Sequence, residues 1–536
     1  MATNSSVGAR LLVAQIDELA KEPSRVWASV PVDDKDLAKG FRDVTYSEFA
    51  NSINRTALWL KHHLPEPTQP FETIAYSGPK DIRYPIIAVA AAKLGRKLLL
   101  PSPFAAIDAQ AHLVQASACR VFLHGKPLAG IIGQVLSKTT NNTVSALEIP
   151  EVFELLKDEP PPPVSFTKTW EQAQNDPWLI FHTSGTTGLP KLVTYSHKMM
   201  ASLDAAELMP DASDETMNNH FRNRRWYTPL PSLHFVGMTV SLQFPVFLGG
   251  VVVIGPPGAG PTTPNVAEEV IKRANAQGVM LPPALIDGLC ETPAGLESLR
   301  QLDYIYFAGA PMLRPTAEKL LPYVPVKPGM GSTEAGAYFL RISGDEDWEY
   351  CTPRPGMGLE FQHRTGDLYE AVFVRHPEVE RWQQVFHLYP DLQEFPTHDI
   401  YTQHPSKKDM WKYVGRTDDM VPFSHGEKLY VANIEAEIAA ADSDISAVLI
   451  GGQGRPKPFV LVEWKGSMSD KSIQPQKLQP ILDKVNERLS DLVKLRSKLV
   501  IFADSSKPLV RTIKGSVSRK ESEKLYQDEI NNLYHS

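Results

Sequence analysis

Cysteine is scarce in this chain, with three residues among 536: Cys119, Cys290 and Cys351. Their wide spacing excludes both a disulfide framework and a cysteine-based metal cluster. We expect three buried thiols in a reducing compartment, and therefore a cytoplasmic protein.

Positive charge is not in excess either. Lys and Arg number 55 against 62 Asp and Glu, which gives a formal net charge of −7. Such a chain has no broad basic field for nucleic acid or for an anionic membrane. We expect neither as a partner.

Long apolar runs are also missing. The longest, Phe244–Ile254, is interrupted by Gly249 and Gly250 and is too short to cross a bilayer. The N-terminal segment lacks the apolar core of a signal peptide. Hydrophobic residues still make up 42% of the chain, and its length predicts two or more globular domains.

Strand-like and helix-like segments alternate along the chain. Pro85–Leu94 is typical of a buried helix, and Lys97–Leu100 of a buried strand. Val251–Ile254 and Tyr304–Ala308 also have the composition of strands. This rhythm predicts an α/β fold.

The residues after about 416 have a pattern of their own. Strand-like segments at 445–450, 459–464 and 499–502 accompany a helical apolar face that runs from Leu478 to Leu492. They predict a small α/β domain of about 120 residues with a separate core. We therefore divide the chain into an N-terminal domain, residues 1–416, and a C-terminal domain, residues 417–536.

The strongest local signal is the segment Phe181–Lys191, which reads FHTSGTTGLPK. An apolar strand leads into a loop of hydroxyl donors, glycines and one lysine, a composition suited to polyphosphate. It is not a Walker A loop, because Pro190 stands where that motif requires Gly followed by Lys. The residues that we assign to phosphate binding are Thr183, Ser184, Gly185, Thr186, Thr187, Gly188 and Lys191.

Segments of this composition are often plain surface turns. This one, however, resembles the phosphate-binding signature of the adenylate-forming superfamily: acyl-CoA synthetases, luciferases and adenylation domains of nonribosomal peptide synthetases. Segments 41–46, 76–84 and 98–104 look most like the adenylation domains of fungal nonribosomal-peptide-synthetase-like enzymes of the aryl-acid reductase type. The resemblance implies a large N-terminal domain of two αβ sheets and a small β-barrel, with a small mobile α/β C-terminal domain.

Segments 307–311 and 331–334 follow in the order that the resemblance requires. The first is similar to the family segment beside adenine, and the second to the family's Gly-x-Thr-Glu. This similarity implies that Thr333 binds the α-phosphate and that Glu334 holds Mg²⁺, both as catalytic residues. The family often has an aromatic residue at the position of Met330. The other nucleotide contacts implied here are Gly309, Ala310, Pro311, Met330, Gly331 and Ser332.

Asp399 resembles the aspartate of the family's Thr-Gly-Asp motif, which binds the ribose hydroxyls, although His398 replaces the glycine. A literal Thr-Gly-Asp ends at Asp367. We expect that earlier segment to form a turn of the barrel and assign Asp367 no ligand, because only Asp399 has a suitable spacing to Arg416.

Residues 411–419, WKYVGRTDD, are the second highly specific match. The resemblance implies that Tyr413 lines the nucleotide site and that Arg416 binds the ribose or the α-phosphate. It also implies that Asp418 is the interdomain hinge.

Residues 511–519, RTIKGSVSR, resemble the segment with the family's catalytic lysine. That lysine normally follows the glycine, where this chain has Ser516. We assign the catalytic role to Lys514, which precedes Gly515, because a flexible lysine stem could reach the same place. The alternative is a surface lysine in the tail.

Residues 230–238, LPSLHFVGM, correspond to the segment that lines the family's acyl pocket. Amino-acid-activating relatives have an Asp here to pair with the α-ammonium, whereas this chain has His234 and then Phe235. Because burying an unpaired ammonium is costly, we expect a carboxylic acid without an α-amine, and an aromatic one. His234 could instead be a core histidine bonded to the backbone. The substrate residues that we assign are His234, Phe235, Gly237, Met238 and Gly336.

The resemblance implies ATP-dependent activation of a small carboxylic acid to acyl-AMP, with Mg²⁺. The acyl group would then pass to the phosphopantetheine thiol of a carrier domain. Because no carrier-type Gly-x-Ser site follows the last motif, we expect this carrier in a longer protein or in trans. Two alternatives stay open: a free-standing aryl- or acyl-CoA ligase that uses coenzyme A, and a nucleotide-binding regulator without turnover.

Overall fold

The computed structural model describes residues 6–139, 144–183, 189–210, 215–258, 262–417, 420–465, 473–511 and 517–534. Its strands in these ranges, numbered β1 to β26 in chain order, are Val26–Pro31, Phe41–Thr45, Thr73–Ser77, Lys97–Leu99, Val121–His124, Ser145–Glu148, Pro177–Thr183, Lys191–Ser196, Arg225–Tyr227, Val251–Val253, Gly278–Leu281, Tyr304–Ala308, Val326–Gly329, Gly331–Ser332, Gly336–Ala337, Leu340–Arg341, Tyr350–Pro353, Leu359–Thr365, Leu368–Val374, Glu394–Gln403, Trp411–Arg416, Met420–Pro422, Lys428–Tyr430, Ile445–Gly451, Phe459–Trp464 and Val500–Phe502. The helices, numbered α1 to α20, are Leu12–Leu19, Tyr46–His63, Arg83–Lys93, Ile107–Ala116, Ala129–Ser137, Val152–Leu155, Trp170–Ala173, Ser202–Ala206, Met217–Phe221, Phe235–Met238, Phe244–Leu248, Pro264–Arg273, Pro283–Leu289, Pro293–Arg300, Arg314–Leu320, Gln384–Leu388, Ala432–Ala441, Gln474–Asn486, Arg519–Leu525 and Gln527–Leu533.

The chain divides into two compact units. The first consists of Met1–Glu360, Val372–Phe395 and His404–Lys412, and the second of Phe361–Ala371, Pro396–Gln403 and Tyr413–Ser536. A further sheet has six strands in the order β16-β17-β21-β20-β19-β18. The predicted domain boundary after residue 416 stays a prediction.

Two sheets form the first unit. One has the order β13-β12-β11-β9-β10-β1-β2 and is parallel except for β2 at its edge. The other has the order β6-β5-β3-β4-β7-β8 and is parallel except for β8. The predicted α/β fold with two sheets in the large domain is confirmed, and parallel strands of this kind place loops from successive strands along one edge.

Local sequence explains several of these elements. The long helix α2 begins at a capping box, in which Thr45 and Glu48 each bond the other's main-chain nitrogen. Helix α3, predicted at Pro85–Leu94, is apolar on all sides because it is buried throughout. Strand β12 has the bounds predicted from the sequence.

The second unit contains a three-stranded sheet, β24-β25-β26, with a core on each face. Alternate residues of β24 and β25 point to opposite cores, as the period of a strand requires. Val448 and Val460 pack with α17 and α18, whereas Leu449 and Leu461 pack with Tyr526 of the C-terminal helices. The predicted separate core of this region is present in these residues.

Helix α18 ends earlier than its apolar pattern predicts. The pattern continues to Leu492, but the helix stops at Asn486, and Leu492 is 48% exposed. The Asn486 amide bonds both main-chain groups of Leu495, donating to its oxygen at 2.8 Å and accepting from its nitrogen at 2.7 Å. These two hydrogen bonds hold the turn from which the chain continues to strand β26.

Two expectations from composition can be compared with the described residues. Cys119, Cys290 and Cys351 are buried free thiols, as predicted. No helix in the described ranges combines the length and the apolar character needed to cross a membrane.

Candidate functional site

Two segments predicted to contact the nucleotide lie side by side in the first unit. Strands β12 and β13 are parallel, with Ala308 paired to Gly329. The chain therefore leaves both strands at the same edge of the sheet, into the exposed segment 309–311 and into Met330. A ligand at this edge can reach both segments.

A small hairpin follows Met330 and presents the two predicted catalytic residues. Strands β14 and β15 pair Gly331 with Ala337 and Ser332 with Gly336, so Thr333 and Glu334 lie at the tip. The Ala335 nitrogen donates to Ser332 Oγ at 3.0 Å and closes the turn. Both predicted residues are half-buried.

The base of this hairpin requires glycine at position 336. Gly336 has a φ of +75°, in the left-handed region that residues with a Cβ rarely adopt. A Cβ there would also lie 3.3 Å from Cγ of Gln384. Gly336 therefore has a structural role beside its predicted place in the acyl pocket.

Two tyrosines that the sequence analysis did not select lie near Glu334. The hydroxyl of buried Tyr195 donates to the main-chain oxygen of Thr333 at 2.8 Å. Burial raises the pKa of Tyr195 well above its ordinary value, and the negative charge of Glu334 adds to the rise. Burial and the same charge raise the pKa of Tyr389. Glu334 thus faces two neutral phenols.

The described residues on either side of the predicted phosphate loop pair with each other. Strands β7 and β8 are antiparallel, and Thr183 pairs with Lys191. Thr183 is half-buried and Lys191 is exposed. Just before the loop, burial lowers the pKa of His182 to about 4, so its ring is neutral at neutral pH. Lys191 therefore supplies the positive charge at this end of the motif.

The predicted acyl segment forms the short helix α10, preceded by half-buried His234. Phe235 is 8% exposed and packs against Phe181, at 6.2 Å between ring centroids, and against Tyr195, at 5.3 Å. Met238 is buried in the core and accepts a hydrogen bond from Ser241 through its main-chain oxygen. Phe235 and Met238 thus lie in packed surroundings.

Gly237 lies against the turn that precedes this helix. A Cβ at this position would come within 2.3 Å of the Pro231 oxygen, which leaves no room for a side chain. Gly237 also lines a cavity with the polar side chains of Thr228, Ser232 and Ser241. This cavity lies beside the acyl segment in the first unit.

In the second unit, Asp399 and Arg416 form an ion pair. Arg416 Nη1 lies 3.0 Å from Asp399 Oδ1. The Asp399 side chain is 15% exposed, and its main-chain nitrogen donates to Thr397 Oγ1 at 3.1 Å. Tyr413 packs edge-on against Tyr401 at 5.6 Å. The structure thus places Asp399 next to Arg416, the residue whose spacing selected it.

The competing aspartate, Asp367, lies elsewhere in this unit. It is exposed in the two-residue turn between β18 and β19, where Gly366 has a φ of +55°. This is the barrel turn that the sequence predicted.

His398, which stands where the family motif has glycine, has a backbone conformation that favours glycine. Its φ is +63°, in the left-handed region. Its nitrogen donates to Glu370 Oε1 at 3.2 Å, and its half-exposed ring lies 3.4 Å from the same oxygen. In this conformation a residue with a side chain lowers the stability of the protein by about 1–2 kcal/mol. An exposed ion pair offsets little of that loss.

Replacing His398 with glycine is expected to stabilise the protein by about 0.5–1 kcal/mol, because the strain disappears and only an exposed contact is lost. The change in urea midpoint measures it. His363→Gly is the matched control, since His363 is an exposed strand residue, absent from the positive-φ positions of the described chain. We expect the control to destabilise, and an equal loss in both variants would contradict the assignment of strain.

Several predicted site residues fall outside the described ranges, and the structure gives no account of them. They are Ser184, Gly185, Thr186, Thr187, Gly188, Asp418 and Lys514.

Glu334 and Thr333 offer oxygen atoms of the kind that binds Mg²⁺. No group of three or more His, Cys, Asp or Glu suited to a metal ion occurs in the described part of the chain. Mg²⁺ in nucleotide enzymes is commonly held by one or two carboxylates together with substrate phosphates. The half-buried carboxylate of Glu334 and the hydroxyl of Thr333 fit that mode.

Comparison with known proteins gives matches over the whole chain. The family model for AMP-binding enzymes matches residues 23–361, and the model for the AMP-binding enzyme C-terminal domain matches residues 418–536. An isocyanide synthase–NRPS hybrid of Aspergillus fumigatus is 29% identical over 99% of this chain and 34% of its own length. A carboxylic acid reductase of Neurospora crassa is 28% identical over 99% of this chain and 51% of its own length. The chain thus spans between a third and a half of these relatives.

Solved structures share the fold. ATP-bound MatB from Rhodopseudomonas palustris has a TM-score of 0.72 at 18% identity, covering 97% of this chain and 99% of its own. The amide bond synthetase McbA from Marinactinospora thermotolerans has a TM-score of 0.70 at 17% identity, covering 96% of this chain and 100% of its own. With a family model that matches more than half of its residues, this chain belongs to the AMP-binding enzymes, the adenylate-forming superfamily that its motifs predicted.

Proposed function

We propose that the protein activates a carboxylic acid with ATP and passes the acyl group to a thiol. The observation that carries this proposal is the edge of the seven-stranded sheet, where β12 and β13 place segment 309–311 beside the Thr333–Glu334 hairpin. These are the groups that a nucleotide with a charged phosphate chain requires.

In the first half-reaction a carboxylate oxygen of the acid attacks the α-phosphorus of ATP, and the bond from that phosphorus to the bridging oxygen of pyrophosphate breaks. Thr333 donates to the α-phosphate, while Thr183 and Lys191 bind the departing pyrophosphate. Glu334 would hold Mg²⁺, which would supply neutralisation of the phosphate charge. Lys514 and the ribose ligands Asp399 and Arg416 are assigned from the sequence motifs.

The surroundings of Phe235 support an acid without an α-amine. Relatives that activate amino acids carry their ammonium-pairing aspartate here, whereas Phe235 packs against Phe181 and Tyr195. An α-ammonium beside these rings would be desolvated without a partner. The aromatic lining favours an aryl acid over an aliphatic one.

In the second half-reaction the thiol sulfur attacks the carbonyl carbon of acyl-AMP, the bond to the phosphate oxygen breaks, and AMP and a proton leave. We propose the phosphopantetheine of a carrier domain as this thiol, because the relatives that match 99% of the chain are an NRPS hybrid and a carboxylic acid reductase. Coenzyme A is the alternative, since a benzoate CoA ligase of Burkholderia xenovorans shares the fold.

ATP–pyrophosphate exchange with purified protein tests the first half-reaction. Aryl acids, α-keto acids and amino acids are offered at equal concentration with Mg²⁺. We expect exchange with aryl acids at least tenfold faster than with the matching α-amino acids, equivalent to about 1.4 kcal/mol. Preference for amino acids would contradict the pocket argument, and no exchange with any acid would favour the nucleotide-binding regulator.

The acceptor is tested separately with the best acid. AMP release is followed with coenzyme A and with a carrier domain that carries phosphopantetheine, using the carrier without the prosthetic group as control. We expect release with the loaded carrier, and release with coenzyme A alone would identify a free-standing ligase.

A further inference from the structure

We propose that Tyr195 is a positioning residue for the proposed adenylation, which holds the Thr333–Glu334 hairpin in place through its hydroxyl. The inference rests on the proposed function, because Thr333 and Glu334 have their catalytic roles only there. Tyr195 itself touches neither the nucleotide nor the acid in this proposal.

Tyr195 joins parts of the first unit that belong to different sheets. It lies in β8, four positions after Lys191, in the sheet that carries the phosphate-loop hairpin. Its hydroxyl reaches the main-chain oxygen of Thr333, in the hairpin that follows β13 of the other sheet. The hydrogen bond therefore fixes the distance between the phosphate-loop strands and the predicted α-phosphate and Mg²⁺ residues.

The ring of Tyr195 has a second set of contacts. It packs edge-on against Phe181, at 5.2 Å between ring centroids, and at a tilt of 46° against Phe235, at 5.3 Å. Phe181 lies just before the phosphate loop, and Phe235 lies in the predicted acyl segment. One buried side chain thus contacts residues of three predicted parts of the site in the first unit: the phosphate-loop motif, the hairpin and the acyl segment.

The hairpin that carries Thr333 and Glu334 is short. Thr333 and Glu334 lie between two-residue strands, and a turn this short is stabilised weakly by its own hydrogen bonds. The Tyr195 side chain is buried and its bond to Thr333 is partly buried, so loss of this donor weakens the support of the Thr333 carbonyl oxygen.

Tyr195→Phe tests the hydroxyl while keeping the ring contacts. We expect kcat for ATP–pyrophosphate exchange to fall about tenfold, equivalent to one hydrogen bond of about 1.4 kcal/mol. The Mg²⁺ concentration for half-maximal rate should rise several-fold, while KM for the acid stays within twofold. A merely structural loosening would lower the amount of active enzyme and leave the Mg²⁺ dependence unchanged.

Tyr46→Phe is the matched control. Tyr46 is 1% exposed, and its hydroxyl has no hydrogen-bond partner within the described ranges. This control should keep both kcat and the Mg²⁺ dependence. Tyr195→Leu removes the ring as well and should raise KM for the acid, since Phe235 loses its neighbour.

The outcomes separate the two proposals. If wild-type protein exchanges pyrophosphate and Tyr195→Phe keeps kcat and Mg²⁺ dependence within twofold, the positioning role is wrong and the proposed function stands. If wild-type protein exchanges with no acid, the proposed function is wrong and the role of Tyr195 falls with it.

Discussion

Replacing Glu334 with glutamine is expected to reduce ATP–pyrophosphate exchange by about 10²–10³-fold at limiting Mg²⁺, a loss of about 3–4 kcal/mol of transition-state stabilisation. The substitution keeps the size of the side chain and one oxygen, and it removes the charge that binds a hard cation. Part of the activity should return at high Mg²⁺, because the amide oxygen is still a weak ligand.

The location of Glu334 makes this effect specific. The residue is at the tip of a hairpin whose base is fixed by Gly336, and its charge acts on Tyr195 and Tyr389. In the described part of the chain Glu334 belongs to no group of three or more His, Cys, Asp or Glu that could hold a metal ion. Loss of this one carboxylate therefore leaves no such group to replace it among the described residues.

Glu318→Gln is the matched control, since Glu318 is exposed on α15 and makes the same change of charge. It should leave the rate within twofold of wild type. If Glu334→Gln kept full exchange at limiting Mg²⁺, Glu334 would not be the metal residue. Equal loss at all Mg²⁺ concentrations would point to a distorted hairpin instead.

The fold was predictable where one physical signal dominates. Strand Tyr304–Ala308 and the strand Phe459–Trp464 have the predicted bounds, because short apolar runs between turn residues have few alternatives. The end of α18 was not predictable from its apolar face. It depends on the Asn486 amide, which bonds main-chain groups of Leu495.

The candidate site shows the same division. The motifs predicted the neighbourhood of Asp399 and Arg416 and the segments that β12 and β13 bring together. They could not reveal Tyr195, because its partner is a main-chain oxygen 138 residues away, and such acceptors have no signature in sequence. From the sequence pattern of β8, Tyr195 is predicted only to be a buried aromatic side chain.

His398 shows what a departure from a family motif can mean. The sequence comparison marked it as a replaced glycine, which could have meant a changed backbone. In the structure His398 has a left-handed conformation, with a φ of +63°, which is one that glycine adopts without strain. The effect of the replacement is therefore local backbone strain at His398. Asp399, the predicted ribose residue, is still paired with Arg416.

Asp399→Ala is expected to lower kcat/KM for ATP about 100-fold, mainly through KM, because a carboxylate can accept hydrogen bonds from both ribose hydroxyls. The substitution should leave the fold intact, because the Arg416 side chain is 43% exposed and does not become a buried unpaired charge. The effect on kcat should be small, because the ribose is remote from the bond that breaks.

The nucleotide itself supplies the discriminating control for Asp399. With 2′,3′-dideoxy-ATP the wild-type protein loses the same contacts, so wild type and Asp399→Ala should have similar KM values, as a double-mutant cycle requires for a direct interaction. Asp367→Ala, in the exposed turn after β18, should keep the wild-type preference for ATP over the dideoxy nucleotide. A variant of Asp399 that still discriminated between the two nucleotides would show that another residue binds the ribose. If Asp367→Ala lost the discrimination instead, the literal Thr-Gly-Asp would be the functional motif.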